Sequence, residues 1–205
     1  MERGKIYSFV GPAGGGKSYA ADEIIGKSHY DGVPYISADF SDGIRSVILT
    51  TFTGNRDADI DVNSEDYAEW KKEQQVIYLP LSQRQYIYDG RTIMKNLGEY
   101  LKEMIGNEIW ANWTLNKVMR TYYNMDLVSR GACNIVFGSL RFDVELQAIL
   151  KCAELTKKEV EIRFCNYHNK KKSACQVEPH PSERLAQSLI KYDFKHGDII
   201  TEYLV

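Results

Sequence analysis

Nowhere in the 205 residues do eighteen apolar residues run together, so no membrane-spanning helix is expected. There is no Cys-x-x-Cys pair. The four cysteines, Cys133, Cys152, Cys165 and Cys175, are scattered, which argues against a zinc ribbon or a dithiol redox motif and for reduced thiols in a cytosolic compartment. Neither sign of charge dominates. Lys and Arg number 26 against 28 Asp and Glu, a net charge of −2, so the overall field draws the chain toward neither nucleic acid nor an anionic membrane. No repeat and no low-complexity tract is present. Met1 to Lys5 is charged, and the short apolar stretch after it enters a glycine loop with no cleavage site, so no signal peptide is expected.

What is present is an ordinary globular composition, 43% apolar and 26% charged, in a chain long enough to bury a core without staples. That length suits a single domain carrying insertions. The fourteen tyrosines read as half-buried packing residues with wet hydroxyls. Short runs rich in Ile, Val, Phe and Tyr predict strands at Ile6 to Val10, Val33 to Ser37, Asn134 to Gly138, Val160 to Cys165 and Asp198 to Val205. Between them lie helical patterns. Tyr19 to Ile25 precedes a possible stop at Gly26. Thr92 to Ile105 aligns Ile93, Leu97, Leu101 and Met104. Asp143 to Leu155 aligns Leu146, Ile149, Leu150 and Ala153. Ser182 is placed to cap a helix carrying Leu185 and Leu189.

Apolar strands alternating with amphipathic helices predict an α/β fold, a parallel sheet covered on both faces. The core is expected at 1–39, 131–165 and 179–205. A mostly helical insertion is expected at about 40–130 and a short lid at about 166–178, the latter holding Lys170, Lys171 and Lys172.

Gly11-Pro12-Ala13-Gly14-Gly15-Gly16-Lys17-Ser18 is a complete G-x-x-x-x-G-K-S between a predicted strand and a predicted helix. A chance match in a chain of this length is about a one-in-a-hundred event, and the strand-loop-helix context lowers that further. Gly11, Gly14, Gly15 and Gly16 allow the backbone to curl so that successive N–H groups point inward around a polyphosphate. Lys17 is then the cation for the β- and γ-phosphates, and Ser18 the hydroxyl ligand for Mg²⁺. Tyr19 opens the following helix and completes the candidate nucleotide-binding set. No guanine-reading N-K-x-D stands at a suitable strand end, which argues against a GTPase. With two insertions on the scaffold, a small-molecule kinase using ATP is the economical reading.

Further segments resemble the phage-type deoxynucleoside monophosphate kinases. Gly138-Ser139-Leu140-Arg141-Phe142-Asp143-Val144-Glu145 is similar to their D-x-R-F-x-x-E segment, with Ser139 where the family has Asp. Gly90-Arg91-Thr92-Ile93-Met94-Lys95-Asn96-Leu97-Gly98 resembles their R-x-x-L-Q-x-x-G helix, and the distance onward to Trp110 also resembles the family's. Ala38-Asp39 resembles the start of A-D-P-L-K, with Asp42 where the family has Lys, and His180-Pro181-Ser182-Glu183 resembles H-x-S-E. The resemblance covers nearly the whole chain in the same order. It implies a P-loop kinase fold, ATP and Mg²⁺ as cosubstrates, transfer of the γ-phosphoryl to a deoxynucleoside 5′-monophosphate, a homodimer, and a role in DNA precursor supply in the cytoplasm (a host's, if the chain is phage-borne).

Within that frame Arg141, at a strand's carboxyl end, is the candidate for gripping a phosphate, with an ion pair to Glu145 as the plain alternative. Arg91 is a second candidate for the acceptor phosphate. Asp39 could orient the attacking oxygen, act through metal-bound water, bind the sugar, or merely cap a helix. Arg163 is a candidate cation beside the lid, whereas the lysine run reads as a solvated face. His180 could contact nucleotide, although Ser182 and Glu183 beside it also make an ordinary capped helix start. Trp110 and Trp113 fit core packing, with Trp110 also a candidate to stack on a base. Two other functions stay open: another small-molecule P-loop kinase of the dephospho-coenzyme A kinase kind, or a nucleotide-binding regulator without transfer, which Ser139 keeps in play.

Overall fold

The computed structural model describes residues 3–12, 14–52, 74–79, 83–166, 184–192 and 194–204. The chain divides into two compact units, Met1–Phe40 with Ala111–Val205, and Ser41–Trp110. The stretch 111–130, expected within the insertion, thus clusters with the first unit. No helix among the described residues is long and apolar enough to cross a membrane.

The first unit is a mixed α/β layer structure. Its strands are β1 (Ile6–Val10), β2 (Tyr35–Ala38), β5 (Asn134–Ser139) and β6 (Val160–Phe164). They form one parallel sheet in the order β2-β5-β1-β6. β1 lies inside the sheet and is buried on both faces, which is why its sequence is continuously apolar apart from Ser8. Ile6 and Val10 point into the larger core with Ile135, Phe137, Ile162 and Phe164, while Phe9 points into a smaller core with Val136 and Cys165.

The smaller core is closed by α1 (Lys17–Tyr30) through Ala21 and Ile24. Gly26 does not stop this helix. Its missing side chain faces open space, and the chain turns instead after Tyr30, where Gly32 takes a φ of 65°. The larger core is closed by α4 (Ile109–Asn124), which contributes Ala111, Val118, Met119 and Tyr122, and by α6 (Asp143–Thr156), which contributes Ala148, Ile149 and Cys152. The short α5 (Leu127–Ala132) is capped by Asp126, which accepts from the N–H groups of Val128 (3.0 Å) and Ser129 (2.9 Å). The buried Lys158 ammonium closes the other end of α5, donating to the carbonyls of Arg130 (2.9 Å) and Gly131 (3.1 Å).

The expected strand at Asp198 to Val205 does not form among the described residues. A single antiparallel bridge joins Ile199 to Arg163, and the chain then enters α8 (Thr201–Leu204). Gly197, at φ 92°, turns the chain in, and the Thr201 hydroxyl accepts the Ile162 N–H at 2.8 Å, so the edge of β6 is covered by a turn. α7 (Arg184–Lys191) adds Leu189 to the larger core, but the proposed cap Ser182 lies outside the described residues.

The second unit holds α2 (Asp42–Phe52), a hairpin of β3 (Gln74–Leu79) and β4 (Arg84–Asp89), and α3 (Gly90–Ile105). The described residues of 40–130 are mostly helical, as expected, and the hairpin is an addition to that expectation; its register runs from Gln74 opposite Asp89 to Leu79 opposite Arg84. Asp89 ends β4 and caps α3, accepting the Thr92 N–H at 2.7 Å and the Thr92 hydroxyl at 2.8 Å. Those bonds hold its carboxyl below the usual carboxylate range.

Candidate active site

All four strands of the parallel sheet end on the same edge. That edge carries the glycine loop after β1, Asp39 after β2, the turn at Leu140 to Phe142 after β5, and Cys165 after β6. Ligands of open α/β sheets bind at such carboxyl ends.

The glycine loop is built for close approach. Gly14 and Gly16 hold φ of 74° and 87°, in the left-handed region that glycine enters without strain. A Cβ at Gly11 would collide with the Cys165 carbonyl, so the loop lies tight against the end of β6. Gly15 N–H donates to the Pro12 carbonyl at 2.9 Å and closes the curl. Gly16 is the N-cap of α1 and offers no side-chain acceptor, and the first turn of α1 has no acidic residue. The first N–H groups of α1 and its positive dipole end therefore meet no carboxylate of their own helix, an arrangement that suits an anion.

Lys17 is half-buried in the first turn of α1. Its ammonium donates to the carbonyls of Gly11 (2.6 Å) and Pro12 (2.8 Å), so the cation lies over the loop itself. Ser18 and Tyr19 are exposed on the same turn. The donor set fits a nucleoside triphosphate with Mg²⁺: the first N–H groups of α1, one ammonium and one exposed hydroxyl. Among the described residues no group of three His, Cys, Asp or Glu gathers to hold a metal on protein ligands alone. A magnesium ion would be held by Ser18 together with the phosphates.

Asp39 and Arg141 occupy the neighbouring strand ends. Asp39 is half-buried, and its carbonyl accepts the hydroxyl of the buried Thr114 at 3.5 Å. Its carboxylate lies against Gly138, where any Cβ would collide with it. The pairing of β1 with β5 shifts register between Tyr7 and Phe9, which places one extra β5 residue beside Gly138. Leu140 N–H then donates back to the Phe9 carbonyl at 2.8 Å and anchors the turn. Arg141 is exposed beyond this anchor, with its Nε donating to Ser139 Oγ at 3.2 Å. The residue that stands where the resembling family has Asp is thus a hydroxyl that carries Arg141.

Sequence reasoning gave Glu145 no role beyond pairing with Arg141. It is buried, and its Oε2 accepts the backbone N–H of Arg141 (2.6 Å) and of Phe142 (3.1 Å). Burial raises its carboxyl to about 7, against the pull of those two N–H donors. The D-x-R-F-x-x-E spacing marked the position in sequence, but its burial follows only from packing.

The remaining candidates are Arg163, Arg91 and Trp110. Arg163 is in β6. Its guanidinium donates to Glu161 Oε1 through Nε (2.7 Å) and Nη2 (2.6 Å) and lies 5.7 Å from the Tyr7 ring centre, on the face of the sheet that α1 covers. Arg91 is exposed in the first turn of α3, in the second unit. Trp110 belongs to that unit too. It is 6% exposed, with its indole N–H donated to the Gly98 carbonyl at 3.2 Å, which is a packing position. The segment expected to form a lid, from 167 onward with Lys170 to Lys172, and His180 lie outside the described residues.

No protein-family model and no curated protein matches the chain. Among solved structures it is similar to a cysteine-to-alanine mutant of the Mycobacterium tuberculosis APS kinase CysC. That likeness has a TM-score of 0.34 and 15% identity, over 93% of this chain and 97% of that chain. A likeness so slight assigns neither family nor substrate.

Proposed function

We propose that the chain is a kinase that uses Mg²⁺ and ATP to phosphorylate a nucleoside 5′-monophosphate, with the deoxynucleotides as the favoured class. The observation that carries this is the glycine loop, with Lys17 folded over it and the first turn of α1 clear of acidic side chains. Asp39 and Arg141 stand at neighbouring ends of the same sheet.

The reaction asks little covalent chemistry of the protein. The bond from the β–γ bridging oxygen to the γ-phosphorus breaks, a bond from an acceptor phosphate oxygen to that phosphorus forms, and ADP leaves with the bridging oxygen. The acceptor oxygen is already ionised near neutral pH, so no strong general base is required. Lys17 balances charge on the β- and γ-phosphates, Arg141 grips the acceptor phosphate, and Asp39 orients the acceptor. Ser18 would hold a magnesium ion, which would supply further charge neutralisation. The deoxynucleotide preference, a homodimer and service to DNA precursor supply rest on the sequence resemblance. The test is Mg²⁺-dependent ADP release with each nucleoside monophosphate in turn. A nucleotide-binding regulator would bind ATP and release no ADP with any of them.

A further inference from the structure

A glutamate at the third position of a helix commonly reaches back to the helix start and stays in water. Glu145 departs from that pattern in two ways. It is only 7% exposed, and the same oxygen that accepts the N–H of Phe142 also accepts the N–H of Arg141 at 2.6 Å. The guanidinium of Arg141 leans on Ser139 Oγ at 3.2 Å. Arg141 is thus pinned through its main chain by Glu145 and through its side chain by Ser139. The charged groups facing Glu145 are Arg141, from the turn before α6, and Asp39, from the end of β2. A buried acceptor holds two N–H donors best when it carries charge.

We propose that Glu145 is the positioning residue for Arg141: its charged carboxylate fixes the turn from Leu140 to Phe142, so that capture of an acceptor phosphate follows the charge on Glu145. The effect on the acceptor rests on the kinase reading, whereas the fixing of the turn does not. Because burial places this carboxyl at about 7, the turn loosens as the pH falls through neutrality.

The experiment compares the wild type with Glu145→Gln, which keeps the volume and one acceptor oxygen but no charge. Backbone and Arg141 Nε–H resonances of ¹⁵N-labelled protein are followed between about pH 5.5 and 8.5, alongside the KM for a nucleoside monophosphate and for ATP. The expected result is a shared titration of the Arg141 and Phe142 N–H signals with a midpoint near 7 in the wild type, absent in the variant. The monophosphate KM should rise about tenfold in the variant at high pH, and in the wild type on moving to low pH, with the ATP KM unchanged. The acceptor's own phosphate titrates near pH 6 in both proteins and cancels in their ratio. The proposal is overturned if the two N–H signals ignore both pH and the substitution, or if the KM values for ATP and monophosphate rise together. Where the variant does not fold, the wild-type titration decides alone. If the wild type transfers phosphate to nothing, the kinase reading falls, and the resonances still decide whether Glu145 holds Arg141.

Discussion

Lys17 is tethered to the loop it serves by two bonds to neutral carbonyls, and a γ-phosphate would offer it a charged acceptor in their place. Lys17→Ala should lower kcat by at least about a hundredfold, because the ammonium acts on charge that develops in transfer. The melting temperature should fall by only a few degrees, since the two lost contacts are single hydrogen bonds from a half-buried ammonium to neutral carbonyls. Unchanged turnover would remove the phosphate-loop assignment. Arg141→Ala deletes a fork that suits a phosphate, and should cost about 2–4 kcal/mol in kcat/KM for the monophosphate, about 30- to 1000-fold. ATP affinity should hardly move, and Arg141→Lys should restore part of the loss. Equal weakening of ATP and acceptor would place Arg141 on the donor side. Glu145 makes a prediction about stability. Its folded value is raised, so its contribution is full below the unfolded carboxyl value and is lost as pH rises through about 7. Relative to Glu145→Gln, the wild type should lose on the order of 3 kcal/mol across that window in chemical denaturation. A pH-independent difference would show that its carboxyl is not raised. The loop residues were legible because their signal is local: Gly11, Gly16, Lys17 and Ser18 at fixed spacing. The roles of Glu145 and Gly138 were not, because both depend on what a second element brings near, the sheet edge in one case and the Asp39 carboxylate in the other.

Among the elements, α1 was read too short and its stop misplaced. Gly26 sits in the helix interior with nothing near its missing Cβ, so it costs propensity without ending the helix. Gly26→Ala should therefore stabilise the protein by about 1 kcal/mol, read as a rise in melting temperature. A fall would mean that the end of α1 is packed differently. Gly11 predicts the opposite, since its Cβ would strike the Cys165 carbonyl. The helices at Gly90–Ile105 and Asp143–Thr156 were legible from apolar periodicity, and their caps confirm why they begin there. The hairpin was missed, although Val76-Ile77-Tyr78 and Tyr86-Ile87-Tyr88 are β-branched and aromatic runs on either side of Gln83, a turn residue at φ 52°. A strand at Asp198 was over-read because the same β-rich composition serves a turn that covers a sheet edge.

At the scale of the whole chain, the alternation of strands and helices was enough to give a parallel α/β sheet. The strand order was not legible, and the order does the positioning: with β5 beside β1, the Arg141 turn stands next to the glycine loop's strand, and with β2 beyond β5, Asp39 can lie against Gly138. A donor loop and a candidate acceptor grip on one sheet edge make phosphoryl transfer the central claim. The measurement that tests it most directly is ADP release from Mg²⁺ and ATP, screened over all ribo- and deoxynucleoside monophosphates, for the wild type and for Lys17→Ala. Turnover with at least one monophosphate, highest among the deoxynucleotides and lost in Lys17→Ala, is the predicted result. Tight ATP binding by the wild type without ADP release on any monophosphate would contradict it.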